Sequence, residues 1–381
     1  MSKKRVLIDA CGGDEWIGGL YYKRNIAYGL LNNKRFCDDY ELVVASESSH
    51  SSLFEVLGDK VRFVPVNVKN KKLRLLALIA AAKLNGCKFL YNSNHDFSKF
   101  GVKSIAWIPD FQHKHLPQFF DASSIEVRDA GYRALSETSI PLVLSSHDAQ
   151  RDYEEFYPDH RNEAHVVPFV SCISDEVERL TPDFVESVLG KSGINGKRFA
   201  FICNQFWKHK NHSVVFKPIQ DADECLPEDV RFVFTGKMED YRNPSYIAEL
   251  KVMAEADAMK RRAVFLGFID RSDQLALMSA AEFIIQPSLF EGWGTVVEDS
   301  KVLDKTVLLS DIPVHQEQKS EKCRLFDPTS SDELASLVVE EFGKTHESNI
   351  PRGIADAAER SARYSDTFVD LLDSFFKKGR S

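Results

Sequence analysis

The sequence lacks an apolar run near the ~20 residues that a membrane-spanning helix requires. Its first ten residues lead directly into strand-like sequence, so we expect no signal peptide either. Its seven cysteines are odd in number, scattered, and never spaced as Cys-x-x-Cys. This pattern argues against disulfides and a zinc site, and it is typical of reduced thiols in the cytoplasm.

The sequence also lacks an excess of positive charge. Its formal net charge is −8 at pH 7, whereas binding to a phosphate backbone needs clustered cations, so we expect no nucleic-acid partner. Hydrophobic residues make up 43% and charged residues 28% of the chain, which indicates a folded globular protein. At 381 residues the chain exceeds what one hydrophobic core usually organises, and two domains are expected.

Short β-branched and aromatic runs alternate with helical patterns along the whole chain, which predicts an α/β fold. The predicted strands are 5–9, 41–45, 61–65, 89–91, 104–108 and 142–145, then 198–202, 230–235, 263–266, 283–285, 307–309 and 323–326. Each series predicts its own doubly wound parallel sheet. A short strand with a proline near 166–173 marks the boundary between two Rossmann-like domains, residues 1–172 and 173–361, which are expected to face a central cleft.

Residues 69–83 start with basic side chains and continue as a strongly apolar helical sequence. One interpretation is a core helix packed on a sheet, which the uniform apolarity favours. The other is a helix that lies on a membrane surface. Lysines at a helix start oppose the helix dipole, which indicates that these charges have another use.

The sequence Pro-Ser-Leu-Phe-Glu-Gly-Trp-Gly at 287–294 follows a predicted strand and leads into a helical pattern. This is an anion-binding arrangement, because Gly292 and Gly294 let the backbone approach a ligand and free amides at the helix start can hold a phosphate. Glu291 would point into the cleft from the loop, and Asp299 on the helix is placed to bind ribose hydroxyls. Alone, the motif also fits an ordinary turn with solvated carboxylates.

The continuation Leu-Ser-Asp-Ile-Pro-Val-His-Gln at 309–316 makes the pattern specific. From Glu291 to His315 the chain resembles the donor-binding signature of the retaining GT-B glycosyltransferases of family four, also called glycosyl transferases group one. That signature reads Pro-Ser-x-x-Glu-Gly-Phe-Gly, then a second Glu, then Ser-Asp-Ile-Pro-Val-His, and it aligns without a gap. The resemblance implies that Asp299 replaces the second glutamate and holds the ribose, with Glu298 as the alternative. It further implies donor contacts by Glu291, Gly292, Trp293, Gly294 and Thr295.

The segment 204–212 follows the first strand of the second half, where the family clamps the donor pyrophosphate. Lys210 and Asn211 match the Lys-Asn pair of the family. Gln205 stands where the family has an arginine, which removes a fixed charge and a bidentate fork. Lys208 or another cationic side chain would have to bind the pyrophosphate in place of that arginine. A solvated basic loop is the alternative interpretation.

Three further segments resemble donor-binding parts of the family. Phe268 and Ile269 lie where the family holds the nucleotide base. Gly236 follows another predicted strand and would form a glycine turn facing the cleft, although the sequence alone supports only a turn. Gly18 and Gly19, in a glycine loop after the first strand, would lie near the donor phosphate, although a plain flexible turn also explains them.

Asp110 and His113 are candidates for contact with the transferred sugar. Many family members carry His-Asp at this place, but here Pro109 precedes Asp110, so that the histidine is missing. His113 could replace it from one loop turn further on. A histidine at the surface is the alternative.

The resemblance implies a hexosyltransferase that transfers a sugar from a nucleotide-sugar to a saccharide or lipid-linked saccharide acceptor, with retention. The setting it implies is surface polysaccharide assembly in the cytoplasm, with 69–83 touching the inner face of the membrane. No metal and no cofactor beyond the nucleotide-sugar are expected. A C-terminal helix at 362–381 would complete the first, acceptor-binding domain, and 173–361 would bind the donor. Because Gln205 and Pro109 depart from the family, a non-catalytic GT-B partner subunit and an epimerase or hydrolase on the same fold are alternative hypotheses.

Overall fold

The computed structural model describes residues 3–12, 17–344 and 354–377. Residues 378–381 of the expected C-terminal helix lie outside these ranges. The chain divides into two compact units. The first unit comprises Met1–Phe111, Glu126–Cys172 and Ala358–Ser381, and the second comprises Gln112–Ile125 and Ile173–Ala357. Residues 112–125, which the sequence assigns to the first domain, therefore group with the second unit.

Each unit contains one parallel β-sheet. The strands of the first sheet are β1 (Lys4–Asp9), β2 (Tyr40–Ser46), β3 (Val61–Pro65), β4 (Cys87–Tyr91), β5 (Lys103–Ile108), β6 (Leu142–Leu144) and β7 (Ala164–Val166). Those of the second are β8 (Arg198–Cys203), β9 (Val230–Thr235), β10 (Ala263–Phe265), β11 (Phe283–Gln286), β12 (Thr306–Ser310) and β13 (Cys323–Phe326). The orders are β3-β2-β1-β4-β5-β6-β7 and β10-β9-β8-β11-β12-β13. In both, the order reverses beside the first strand of the unit, which is the doubly wound pattern expected from the sequence.

Helices connect the strands. They are α1 (Ile17–Leu31), α2 (Lys34–Asp39), α3 (Ser51–Phe54), α4 (Lys71–Leu84), α5 (Gln112–His115), α6 (Ala122–Ser136), α7 (His147–Phe156), α8 (Ser174–Glu178), α9 (Pro182–Lys191), α10 (Ser213–Asp221), α11 (Pro244–Ala254), α12 (Asp257–Arg262), α13 (Arg271–Ala280), α14 (Thr295–Val302), α15 (Pro313–Gln318), α16 (Ser331–Gly343) and α17 (Ile354–Lys377). Short 3₁₀ helices lie at Ser48–His50, Glu55–Lys60, Ser98–Phe100, Pro117–Phe119, Lys208–Lys210 and Asp223–Cys225.

The central strands are apolar on both faces, since helices cover both sides of each sheet. Val6, Leu7 and Ile8 of β1 are fully buried, as are Ile284 and Ile285 of β11. Continuous apolar runs are what strands of a covered parallel sheet require. The carboxyl ends of such strands meet at one edge, where loops are free to carry polar side chains.

Helix α1 begins at Ile17, so Gly18 and Gly19 lie in its first turn and not in a glycine loop as expected. The amides of a first turn have no carbonyl partner within the helix. Glycine has no side chain to shield such amides, so a helix start with glycine lets the backbone approach an anion closely. If Gly18 and Gly19 lie near the donor phosphate as predicted, the contact is made by the first turn of helix α1 and not by a loop.

Helix α4 is not buried on all sides, although its uniform apolarity favours a core helix. Leu78, Ile79 and Ala82 pack into the first unit, whereas Leu73 and Leu76 on the other side are 57% and 60% exposed. Asn70 caps the helix by accepting from the amides of Lys72 and Leu73. The helix therefore has one buried and one exposed apolar face.

Among residues 3–12, 17–344 and 354–377, no helix is long and apolar enough to cross a membrane.

Candidate functional site

The polar residues that the sequence singles out in the second half lie at the carboxyl edge of the second sheet. Strands β8 and β11 are neighbours in this sheet. The loop 204–212 follows β8, and the loop 287–294 follows β11. The parallel sheet thereby brings together two loops that are about 80 residues apart in the chain.

Lys210 and Glu291 form an ion pair between these loops. The Lys210 Nζ atom lies 2.5 Å from Glu291 Oε1, and the two side chains are 20% and 10% exposed. Both charges are partly withdrawn from water, which strengthens their attraction and costs each of them hydration. The pair holds a cation and a carboxylate at fixed positions at the edge of the site.

Two polar side chains besides Lys210 fix the Glu291 carboxylate. Gln286 Nε2 and the Ser288 hydroxyl donate to Glu291 Oε1 at 2.9 and 2.7 Å. Gln286 Oε1 in turn accepts from Asn204 Nδ2 at 2.9 Å. Gln286 and Ser288 are almost fully buried. The carboxylate is therefore oriented by groups that have little freedom to move.

The loop that carries Lys210 is attached directly to the loop that carries Glu291. Asn211 has a left-handed backbone with φ of 57°, and its side-chain amide donates to the carbonyls of Pro287 and Pro328 at 3.1 and 2.7 Å. The amide of Leu289 donates to the carbonyl of His209 at 2.8 Å. Asparagine tolerates this conformation better than most residues. Asn211 thus connects the two loops, and this role is separate from the pyrophosphate contact that the resemblance implies.

Gln205 is bonded to the turn after β9. Its Oε1 atom accepts from the amide of Lys237 at 2.9 Å. The turn needs glycine at position 236, where φ is +106° and a Cβ atom would overlap the carbonyl oxygen of Asn204. Gln205, Gly236 and Lys237 therefore form one packed corner. The amide of Lys208 is held by Asp240 at 2.9 Å.

The loop at 291–294 leads into the start of helix α14. The amide of Gly294 donates to Gln318 Oε1 at 3.0 Å, and Gln318 Nε2 donates back to the Gly294 carbonyl at 2.8 Å. Gly292, Trp293 and Thr295 are partly exposed around this fixed point. The amides of the first helical turn lack carbonyl partners within the helix, so they can receive an anion.

The two carboxylates on α14 are both buried in ion pairs. Asp299 Oδ1 lies 2.6 Å from Arg271 Nη2, and the Asp299 side chain is fully buried. Glu298 accepts from Lys301 at 2.7 Å and from Gln318 at 3.0 Å. Both predicted candidates for the ribose contact are thus engaged within the second unit. The contact itself stays a prediction.

His315 lies behind the Glu291 loop and is fully buried. Its Nδ1 atom is 2.8 Å from the Ser310 carbonyl and 3.1 Å from the Ser310 hydroxyl, and that hydroxyl donates to the Ser288 carbonyl at 2.6 Å. Burial lowers the pKa of His315 to about 4, although the negative charge of Glu291 acts to raise this pKa. The ring is therefore neutral near pH 7, and Nδ1 carries the proton that the carbonyl accepts.

Residues 186–341 match the family model described as Glycosyl transferases group 1. The chain carries a glycosyltransferase domain. Lys210, Glu291, Asp299 and His315 all lie inside it, and so does the contact network around them.

Solved structures of similar fold extend over both units. HepE (Alr3699) from Anabaena, in complex with UDP and glucose, has a TM-score of 0.70 and 15% identity over 97% of this chain and 100% of that chain. Sucrose-phosphate synthase from Thermosynechococcus elongatus has a TM-score of 0.71 and 14% identity over 99% and 100%. A glycosyltransferase from Rickettsia africae has a TM-score of 0.70 and 14% identity over 99% of each chain. At these identities the likeness establishes the fold, which is GT-B. A comparison with curated proteins gives no match.

The sequence motifs do not assign a role to the residues that support this site. These residues are Gln286, Ser288, Arg271, Gln318 and Ser310. Ser288 and Ser310 stand within the motif, so their position in the signature was an available signal. Arg271 and Gln318 carry no such signal, because their contacts depend on which elements pack together.

The predicted base-binding residues follow β10. Phe268 is 57% exposed and Ile269 is partly buried. Gly267, directly before them, has φ of +67°, and its carbonyl accepts from the amide of Gly236 at 2.7 Å. This bond connects the turns after β9 and β10. An exposed phenylalanine beside them is suited to contact a flat base.

The residues predicted from the first half fall in different units. Asp110 belongs to the first unit and His113 to the second, although only two residues separate them. His113 lies in α5 and is 1% exposed, which contradicts the alternative of a surface histidine. Gly18 and Gly19 lie in the first unit.

No group of three or more His, Cys, Asp or Glu side chains is arranged to hold a metal ion within the described part of the chain. Asp221 and Asp223 have the spacing of a metal-binding pair in the sequence. Asp223 is instead ion-paired with Arg261 and Arg262.

Proposed function

We propose that this protein transfers a hexosyl group from a nucleotide-sugar to a saccharide or lipid-linked saccharide acceptor in surface polysaccharide assembly. Residues 173–361 would bind the donor and residues 1–172 with the C-terminal helix would bind the acceptor. The observation that carries the proposal is the Lys210–Glu291 ion pair at the carboxyl edge of the second sheet. It supplies a cation for a diphosphate and a carboxylate for sugar hydroxyls.

Each partner of the pair has its own part in this proposal. Lys210 stabilises the negative charge that develops on the departing diphosphate, together with the first-turn amides of α14. Glu291 accepts hydrogen bonds from hydroxyls of the transferred sugar. Before the donor arrives, the ion pair holds both side chains in place, so little reorganisation is needed on binding. No step in this scheme requires a metal ion.

The first donor to test is UDP-glucose, because a HepE structure of the same fold was solved in complex with it. We expect Lys210→Ala to lower kcat/KM by about 100-fold, since about 3 kcal/mol of charge-assisted bonding is lost. Glu291→Gln should lower it by about 10-fold or more, because an amide replaces the charged acceptor. The measurement is release of UDP with a panel of saccharide acceptors.

Matched controls separate this site from general effects on charge. Lys217→Ala and Glu249→Gln change exposed side chains of the same unit and should leave transfer unchanged. Full activity of both site variants would refute the assignment. UDP release without any acceptor would favour the hydrolase alternative, and donor binding without turnover would favour a non-catalytic subunit.

Retention and metal independence are further parts of the proposal. NMR of the first-formed product should show the anomeric configuration of the donor. Transfer should persist in excess EDTA, because the Lys210 ammonium group and helix amides, and not a metal ion, balance the negative charge of the diphosphate. Inversion, or loss of activity that Mg²⁺ or Mn²⁺ restores, would contradict these two points.

The exposed face of α4 supports contact with the anionic inner face of a membrane. Leu73, Leu76 and Leu84 are 57%, 60% and 86% exposed. Lysines 69, 71, 72 and 83, which lie before and within the same stretch of sequence, are also exposed. Apolar side chains that enter the headgroup region, flanked by cations that meet anionic lipid, are the pattern of an interfacial helix. A lipid-linked acceptor would be reached from this surface.

Vesicle sedimentation tests this contact. The protein should sediment with vesicles rich in phosphatidylglycerol and stay in solution with pure phosphatidylcholine. Replacing Leu73 and Leu76 with serine should abolish binding, whereas Val127→Ser, which changes an exposed apolar residue on α6, should not. Equal sedimentation of all three proteins would exclude α4 as the contact.

A further inference from the structure

The segment 112–125 lies between β5 and α6 of the first unit in sequence, yet it groups with the second unit. Aromatic contacts hold it there. The His115 ring stacks on Phe290 with centroids 5.2 Å apart, directly beside Glu291 in sequence. Lys208 Nζ lies 5.1 Å from the centroid of the Phe119 ring. The segment that carries His113 is thus attached to both donor loops.

A third contact holds this segment through Arg242. The Arg242 Cζ atom is 4.8 Å from the Phe120 ring centroid and 4.5 Å from that of Trp207. The Arg242 side chain is only 10% exposed, and its Nε atom lies 3.9 Å from Asp240 Oδ1. A guanidinium between two aromatic faces, shielded from water, is a strong form of cation–π contact. Trp207 belongs to the loop of Lys210, so Arg242 joins that loop to the segment.

Asp240 keeps Arg242 in place. The Asp240 carboxylate accepts from the amides of Lys208, Arg242 and Asn243 at 2.9, 2.9 and 3.2 Å. Its side chain is 1% exposed. The backbone on both sides of the aromatic contact is therefore tied to one buried carboxylate.

We propose that Arg242 is a positioning residue for sugar transfer. It acts through Phe120 and Trp207, which fix segment 112–125 and thereby His113 against the donor loops, and it touches no substrate itself. This inference rests on the proposed function. Loss of the contact would leave Lys210, Glu291 and Asp299 in place, so donor binding would persist while the transfer step slows.

The kinetic test separates kcat from KM. Arg242→Ala should lower kcat about 10-fold or more and change the donor KM less than about 3-fold. Arg242→Lys should recover part of kcat, because an ammonium also binds aromatic faces but does not stack on them as a planar guanidinium does. Phe120→Leu should resemble Arg242→Ala, and the double variant should be no worse than either, as expected for one shared contact. Arg231→Ala, an arginine that bonds backbone carbonyls elsewhere in the unit, is the control.

Hydrogen exchange tests the same inference without substrate. In Arg242→Ala, amides of peptides from 112–125 should exchange faster, and those of 286–294 should not. Unchanged exchange in 112–125, or a loss of donor affinity as large as the loss of kcat, would overturn the inference. If the unaltered protein neither binds nor transfers a sugar, the proposed function fails, and the exchange result still decides whether Arg242 holds the segment.

Discussion

Asp299 and Glu298 are neighbours on α14, and each has its own ion-pair partner. We expect Asp299→Asn to lower the free energy of unfolding by about 3 kcal/mol, because Arg271 would keep a buried charge without its carboxylate. It should also weaken UDP binding about 10-fold if Asp299 holds the ribose. Glu298→Gln should lower the free energy of unfolding and the affinity for UDP by less than Asp299→Asn does. Urea unfolding and calorimetric titration with UDP measure the two effects, and the reverse ranking would assign the ribose to Glu298.

His315 predicts how stability depends on pH. Its pKa falls from 6.5 to about 4 on burial, so between these values the unfolded chain binds more protons than the folded one. Stability should therefore drop as the pH falls through this window, by about 3 kcal/mol at pH 4, and be unaffected by this group above pH 6.5. Burial lowers the pKa of His212 to about 3, which adds in the same direction.

Urea unfolding between pH 7.5 and 4.5 measures this dependence. His315→Asn should lose part of the acid sensitivity while its amide keeps a donor for the Ser310 carbonyl. The His147→Asn variant, which changes an exposed histidine on α7, serves as the control and should keep the full slope. An unaltered slope in His315→Asn would show that the acid sensitivity has another source.

The residue roles differ in how far the sequence predicts them. Lys210 and Glu291 follow from the motifs, because a fixed spacing after a strand places both at the same sheet edge. Ser288 belongs to the same motif, but its role needs the distance to the carboxylate. Arg271 could not be predicted as the partner of Asp299, because their pairing depends on how α13 packs beside α14.

At the scale of elements, the turn after β9 depends on Gly236. A methyl group there would overlap the Asn204 carbonyl and lie 2.9 Å from the Cα atom of Gln205, in addition to the strain of φ +106°. We expect Gly236→Ala to cost about 3 kcal/mol or more in stability. Gly193 also has a positive φ, +68°, but an added Cβ atom there would meet no atom within 4 Å, so Gly193→Ala should cost only about 1 kcal/mol. Thermal unfolding of the two variants compares them, and equal costs would mean that backbone strain alone matters.

The strands follow from the sequence with small shifts, because continuous apolar runs predict buried parallel strands. The sequence predicts the ends of the helices less accurately than it predicts the strands. Helix α1 starts before Tyr21, within a glycine-rich stretch where propensity predicts a loop. Helix α4 is apolar on two sides, and composition cannot tell which of them is covered.

At the scale of the whole chain, the alternation of strands and helices predicts two α/β units. It does not predict that residues 112–125 leave the first unit. That assignment depends on the contacts of Phe119, Phe120 and His115 with side chains more than 85 residues away in the chain. Such long-range contacts leave no periodic pattern in the sequence. The sequence therefore predicts that residues 112–125 belong to the same unit as the residues before and after them.

The distribution of the proposed donor contacts predicts where a nucleotide protects the chain. UDP at about 100 times its Kd should stabilise the protein by about 2.7 kcal/mol. In hydrogen exchange, the amides of peptides from 204–211 and 286–299 should slow, because the diphosphate would receive bonds from these loops and from the start of α14. Peptides from β2 and β3 serve as the internal reference and should be unchanged. The effect should be lost in Lys210→Ala and kept in Lys217→Ala. Protection confined to the first unit would move the nucleotide site away from Glu291 and contradict the proposal at its central point.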